Sequence, residues 1–262
     1  MPPSAATAQL IPIMTARTGS AAMMRLALPA RPAAVCANCC LQTVCLPCSL
    51  ADDELDRFDE IATVKRRIAR GATLYRGGES FDALYAVRSG AFKTVGVSGH
   101  GDEKITGFYL PGEILGLDAI SCDRHGYSAV ALEDSEVCVI PFAQLERMAQ
   151  AMPNLQRQLL RVLSGDIARD QGLMLLLGKM TAEQRLAAFL LRLSRRHQRL
   201  GFSASRFVLR MTREEIGNYL GLTVETVSRL ITRFQREGLI AVQQREIELK
   251  DAGALANLVG QW

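Results

Sequence analysis

Five of the chain's seven cysteines fall within fourteen residues. The stretch CANCCLQTVCLPCS (36–49) holds Cys36, Cys39, Cys40, Cys45 and Cys48, while Cys122 and Cys138 lie far downstream. Thiolates hold zinc and iron–sulfur clusters, and a C-x-x-C pair can do redox chemistry. Disulfide frameworks belong to small secreted domains. In a chain of 262 residues, clustered thiols point instead to metal or redox work in a reducing compartment. Cys36, Cys39, Cys45 and Cys48 read as C-x2-C-x5-C-x2-C, a zinc-like tetrad with a short middle spacing, and that reading leaves Cys138 without a role. No βαβ pattern surrounds Cys36-x-x-Cys39. No Ser-His-Asp set, phosphate loop or supported carboxylate pair points to an enzyme.

A second group of residues suits nucleic acid. The stretch MTREEIGNYLGLTVETVSRLITRFQREGLI (211–240) reads as helix, glycine turn, helix. Thr212 with Glu215 is a capping box, Gly221 makes the turn, and Thr223 caps a second helix. Its buried stripe is expected to be Val224, Val227, Ile231 and Phe234. Glu225, Ser228 and Arg229 share a face displaced from that stripe. A carboxylate accepts from cytosine N4, a guanidinium forks onto guanine, and a hydroxyl serves either role. Arg213, Arg233 and Arg236 are candidates for phosphate contacts, which add affinity without sequence information. Charge agrees: from residue 180 onward thirteen Lys/Arg face eight Asp/Glu, a balance of +5, whereas residues 1–179 carry −1.

These groups need elements to position them. Residues 1–35 contain three arginines and no Asp or Glu and are expected to be a disordered extension. The cysteine loop 36–49 leads into a short amphipathic helix with Leu55, Phe58 and Ile61 on one face. Short β-rich runs with glycine turns follow, to about residue 140, as in a sandwich or jelly roll. Pro153 then opens a long helix that ends near Gly178. Two heptad seams can be drawn on it: Leu160, Leu163, Ile167, Asp170, Met174 and Leu177, or Leu159, Leu163, Asp166, Asp170, Leu173 and Leu177. So much apolar surface, with no second long helix beside it, suggests pairing with its own copy. Asp170 lies in either seam, where facing carboxylates repel. LIAVQQREIELK, after the second helix of the reading unit, reads as a hairpin wing. No apolar run is long enough to span a membrane, and a cytoplasmic protein is expected.

The order of parts, β-rich sensor, long helix, winged helix-turn-helix, resembles the cyclic-AMP receptor protein superfamily. The segments GLTVETVSRL, RLAAFLLRLSRR, MPNL, GDEKITGFYLPGEILGLDAI and CANCCLQTVCLPC are similar to the branch of fumarate and nitrate reduction (FNR) regulators. The resemblance implies an α+β fold: a β-roll sensor over 50–152, a dimerisation helix over 153–179 and a DNA-binding domain over 180–262. It implies an oxygen-responsive transcription regulator with a [4Fe–4S] cluster on Cys36, Cys39, Cys45 and Cys138. Such a regulator is a homodimer when loaded, with Leu163, Ile167, Asp170, Met174 and Leu177 at its seam. It reads a TTGAT-N4-ATCAA inverted repeat through Thr223, Glu225, Ser228, Arg229, Arg213 and Arg233. The loop Val97–Lys104, with Gly101 and Asp102, matches the one that touches RNA polymerase. Cys40, Cys48 and Cys122 are extra to the pattern. The superfamily's cyclic-nucleotide binders place an Arg before Ser in a later segment. Here Gly112 and Glu113 remain, but Tyr127 precedes Ser128. A haem reading would have only His100, His125 and His197 to draw on.

Overall fold

Strand β3 (Ala83–Ser89) is apolar on both faces, as a strand covered on both sides must be. Leu84 and Ala86 face one side and Val87 the other, all at 3% exposure or less. The computed structural model describes residues 36, 38–62, 64–99 and 101–260. The extension expected over 1–35, and His100, lie outside the described residues.

After helix α1 (Asp52–Ile61) come β1 (Val64–Ile68), β2 (Thr73–Tyr75), β3, β4 (Phe92–Val97), β5 (Glu103–Tyr109), β6 (Ile114–Leu115), β7 (Ser128–Ala131) and β8 (Ser135–Pro141). They form two antiparallel four-stranded sheets, β1-β8-β3-β6 and β2-β7-β4-β5. The layer between them contains Leu74, Tyr75, Val87, Phe92, Leu115 and Val137. The outer face of the first sheet is covered by α1, by α2 (Phe142–Ala151) and by the start of α3 (Pro153–Lys179). As the sequence suggests, Leu55, Phe58 and Ile61 of α1 are buried; so is Asp59.

Helix α3 begins at a proline, which donates no N–H in a first turn that has no partner for one. Its two seams are not equivalent. Leu159, Leu163 and Leu173 are half-buried against their own subunit, and Asp166 pairs with Arg169. Leu160, Ile167 and Met174 are 60, 59 and 72% exposed, and Asp170 is exposed among them.

Helix α4 (Ala182–Arg199) starts at a capping box between Thr181 and Gln184. Strand β9 (Arg206–Val208), α5 (Arg213–Leu220), α6 (Val224–Arg236), β10 (Ile240–Gln243), β11 (Glu246–Leu249) and α7 (Ala252–Val259) complete the second domain. The wing is a three-stranded sheet, β10-β11-β9, with one strand more than a hairpin. The buried stripe of α6 is Val227, Leu230, Ile231 and Phe234. Val224, expected there, is 40% exposed: it opens the first turn, which projects beyond the core so that the helix end stays accessible.

The two domains touch directly. Lys93 pairs with Glu215 at 2.7 Å, and the Asn218 carboxamide accepts from the Ile105 N–H and donates to the Glu103 carbonyl. Phe108, Phe189 and Tyr219 form an aromatic cluster with centroids 5.0–6.1 Å apart, a spacing worth about 0.5–1.5 kcal/mol per pair beyond burial.

Gly90, in the turn from β3 to β4, has φ +83°. A Cβ there would stand 2.1 Å from Ser135 Oγ and 2.8 Å from its Cα. Ser135 Oγ accepts from the Ala91 N–H and donates to the Glu133 carbonyl, so it cannot swing away freely. Gly90→Ala is expected to lose about 1–3 kcal/mol through the left-handed backbone, with the clash added. A thermal melt would show this as a fall of several degrees.

Candidate metal centre and nucleic-acid interface

The cysteine loop is a series of tight turns: the N–H groups of Cys39, Gln42, Val44, Cys45 and Cys48 each bond to a carbonyl three or four residues back. Such a coil has no core of its own and is anchored from outside. Leu46 is fully buried in the cluster that holds Phe58, Ile140 and Leu155, a burial worth about 1.5–3 kcal/mol. Val44 lies against Gly112, where a Cβ would come within 2.8 Å of it. Asp59 of α1, 5% exposed, accepts the Cys36 N–H at 2.9 Å. Its second oxygen is buried with no hydrogen-bond partner among the described residues.

Cys138 sits mid-strand on β8, opposite Lys65 of β1 and Ala86 of β3. It shares its sheet face with Glu136, which pairs with Arg88 at 2.7 Å. Cys36, Cys45 and Cys138 all pack against the core cluster under the loop. Burial pushes the Cys45 thiol up to about 12, and the nearby Cys138, Cys39 and Cys48 push the same way. Burial, then Asp59, then Cys45 and Cys138 raise Cys36. Cys138 is raised by burial and by Cys39, against the opposing pull of Arg88 and Lys65. Cys36, Cys45 and Cys138 thus lie near one core cluster, while Cys40 and Cys122 are exposed.

A metal group's positive charge would stabilise thiolates that burial otherwise disfavours. No three metal-binding side chains among the described residues converge closely enough for a single ion. Of the histidines of the haem reading, the two described ones are engaged elsewhere. His125 is buried, stacked 3.7 Å from Tyr75, and His197 Nδ1 bonds to the Leu193 carbonyl.

In the reading unit, Thr212 and Thr223 cap α5 and α6 through their hydroxyls. Gly221 adopts φ +64° at the turn. Gly217, unremarked in the sequence, lets the helices meet: a Cβ there would be 2.6 Å from the Leu222 carbonyl. Glu225 is exposed at the N-terminal end of α6. Its carboxyl is held below the usual range by its own backbone N–H and the Thr223 hydroxyl. Arg229 is exposed and has no hydrogen bond or ion pair among the described residues. Arg213 reaches from α5 to Ser228 Oγ at 3.3 Å. Arg233 differs: it pairs with Glu183 at 3.0 Å and Glu237 at 2.7 Å, so much of its charge is neutralised. Gly101 (φ +87°) and Asp102 are exposed at the tip of the β4–β5 hairpin, closed by the Ser98 and Asp102 backbone bonds.

A two-layer β domain, a long helix and a winged helix-turn-helix with an accessible second helix define a DNA-binding transcription regulator. Two family models match, a cyclic nucleotide-binding domain over residues 65–152 and a Crp-like helix-turn-helix domain over 184–258. The chain is 50% identical over 239 residues to the transcriptional regulatory protein btr of Bordetella pertussis, covering 91% of this chain and 99% of that one. It is 48% identical over 225 residues to the fumarate and nitrate reduction regulatory protein of Escherichia coli K12, covering 86% and 90%. Among solved structures it resembles FixK2 of Bradyrhizobium japonicum, with a TM-score of 0.70, 32% identity and coverage of 76% and 98%. The chain belongs to the CRP/FNR family of transcription regulators; its relatives are regulators rather than enzymes.

Asp59→Ala removes the acceptor that fixes Cys36, a hydrogen bond to a charged group worth about 1.5–3 kcal/mol. Faster reaction of the loop thiols with a disulfide reagent is expected in the metal-free protein. Asp59→Asn, which keeps the acceptor oxygen, should react at a rate closer to the parent's. Equal rates for parent and alanine variant would show that Asp59 does not hold the loop.

Proposed function

We propose that this regulator responds to oxygen through a [4Fe–4S] cluster held by Cys36, Cys39, Cys45 and Cys138, and controls genes of anaerobic metabolism. The observation that supports the reading is that Cys36 and Cys45 of the loop and Cys138 of β8, up to 102 positions apart in the sequence, pack against one core cluster. When bound, the cluster supplies an oxygen-labile anchor between the loop and the β-roll. The chain's own part is mechanical. Leu46 and Asp59 seat the loop on the core that also contains Leu155, at the foot of α3. Loss of the anchor frees the loop from the surface on which α3 stands.

In the loaded state α3 pairs with its copy through Leu163, Ile167, Asp170, Met174 and Leu177. The exposure of Ile167 and Met174, with Leu160 beside them, supports this seam. Asp170 keeps the pairing marginal, because two carboxylates meet across it. The dimer reads a TTGAT-N4-ATCAA inverted repeat. Arg229 takes guanine, Glu225 the paired cytosine amine, and Ser228, Thr223 and Arg213 support the contact. Gly101 and Asp102 offer an exposed tip to RNA polymerase. The site of action is the cytoplasm; no helix among the described residues is long and apolar enough to cross a membrane.

Two tests bear on this. After anaerobic purification, iron and sulfide near four per subunit are expected, lost on Cys138→Ser and retained on Cys48→Ser. The opposite pattern would move the site onto the loop alone. In gel-shift titrations Arg229→Ala should cost about 1–3 kcal/mol per half-site on the inverted repeat and little on scrambled DNA. Arg233→Ala should weaken both duplexes together, and only modestly, because its charge is shared with Glu183 and Glu237. An equal loss on both duplexes for Arg229→Ala would remove it from the base readers.

A further inference from the structure

A cavity of about 650 Å³ is lined by Arg66 of β1 and by Leu74 and Tyr75 of β2, the end strands of the two sheets. That volume falls within the usual range for small-molecule sites. Part of its wall is the β2–β3 turn, and main-chain bonds tie that turn to the loop over residues 123–126. The Gly78 N–H donates to the His125 carbonyl at 2.7 Å, the His125 N–H to the Glu79 carbonyl at 3.0 Å, and the Phe81 N–H to the Asp123 carbonyl at 3.0 Å. The Arg124 guanidinium adds a bond to the Gly78 carbonyl at 2.9 Å, and the Ser128 hydroxyl accepts the Gly77 N–H. A wall fixed by so many bonds is preformed and needs little ordering when a ligand arrives.

Two lining side chains, Tyr75 and His125, are each 3% exposed and stack with ring centroids 3.7 Å apart. Tyr75 Oη and His125 Nδ1 are both buried with no hydrogen-bond partner among the described residues. An orphaned buried polar atom is costly, and two in one stack call for a partner that the chain does not supply. Burial holds His125 below its ordinary value, against the pull of Asp118, Glu79 and Asp82. Its ring is therefore neutral at pH 7 and offers one donor and one acceptor. Arg66, Arg76, Glu79 and Asp82 form an exposed rim. The side chains of Arg66, Arg76 and Asp82 have no hydrogen bond or ion pair among the described residues. Glu79 accepts the Arg76 N–H with one oxygen. Two cations thus stand against two carboxylates. A ligand of one sign is repelled by half of this rim, whereas a zwitterion finds a partner for each end. Leu74 is the one large aliphatic side chain in the lining, so the body of the ligand must be polar as well.

We infer that this cavity binds a free, polar α-amino acid. Its carboxylate lies between Arg66 and Arg76, its ammonium group between Glu79 and Asp82, and its side chain reaches Tyr75 and His125. The site is separate from the superfamily's nucleotide motif, since Gly112, Glu113, Tyr127 and Ser128 do not line it. It is also separate from the DNA-reading surface, since neither Glu225 nor Arg229 lines it. Within its sheet β1 is paired with β8 alone. A ligand gripped by Arg66 and by the β2–β3 turn joins that end strand to the opposite sheet, so occupancy braces the β-roll. The inference does not rest on the cluster or on the operator assigned above.

A thermal-melt screen of the full chain against the standard L-amino acids, followed by calorimetric titration with the one that raises the melt most, tests this. One saturable site per subunit is expected. The N-acetyl derivative of that amino acid lacks the ammonium charge and its amide lacks the carboxylate, and each should bind about tenfold more weakly. Arg66→Gln and Asp82→Asn, both at the exposed rim, should each weaken the free amino acid by a similar factor. His125→Phe keeps a ring on Tyr75 and removes both nitrogens; it should fold and lose affinity. If His125→Phe melts well below the parent without ligand, the two rim variants carry the readout. Arg147→Gln, the same change of charge on the exposed face of α2, should leave binding unchanged. Absence of saturable binding by every amino acid would overturn the inference. So would derivatives that bind as tightly as the free amino acid, since the rim would then read neither charge. Equal weakening by Arg147→Gln and Arg66→Gln would trace the effect to net charge and overturn the site as well.

Discussion

A loop built only of turns has to be held in shape by something other than itself. Here the holding is done by the fully buried Leu46, one buried carboxylate and the outer face of one sheet. Leu46 enters the core that also receives Phe58 from α1, Ile140 from β8 and Leu155 from α3. Asp59 then fixes the loop's first cysteine by its backbone N–H. The approach of Cys36, Cys45 and Cys138 to one core follows from that packing. The same core joins the loop to the foot of α3, so what happens at the thiols and what happens along the long helix share one set of contacts.

Charge does for the two domains what burial does for the loop. Lys93–Glu215, Arg196–Glu113 and Arg210–Glu133 cross between sensor and reading domain, around the ring cluster of Phe108, Phe189 and Tyr219. Partly exposed pairs of this kind contribute little stability each, but they set orientation. The orientation leaves the N-terminal end of α6 clear while α5 lies on the β4–β5 hairpin. Glu113, which a sequence reader assigns to a ligand motif, serves in this contact and caps the Leu110 N–H.

Much of this architecture was legible in the chain. Capping residues, Gly221 and the proline that opens α3 are local signals, and local signals survive in sequence. The misses share a physical cause. Val224 fits the apolar period of α6 but stands in the turn that leaves the core. Gly217 and Gly90 look like ordinary glycines until the carbonyl of Leu222 and the side chain of Ser135 are brought beside them. Arg233 has one partner within sequence reach, Glu237 four residues on, but the second, Glu183, is fifty residues away. Helix α7 carries no motif that stands out in the sequence, yet Leu255 is fully buried in the second core.

Residue types and spacings alone determined that thiols gather near the start of the chain, that a helix-turn-helix ends it, and that a long apolar helix stands between. These depend on neighbours within a few positions, where backbone geometry is the same in any fold. Tertiary structure decided the matters that need distant partners. It brought Cys138 to the loop, turned Asp59 inward, and chose which face of α3 is left open by burying the other against its own subunit. It also brought Arg66 of β1 and His125 to the same cavity as Glu79 and Asp82. Such choices rest on which surfaces lose water together, and no single stretch of sequence holds that information.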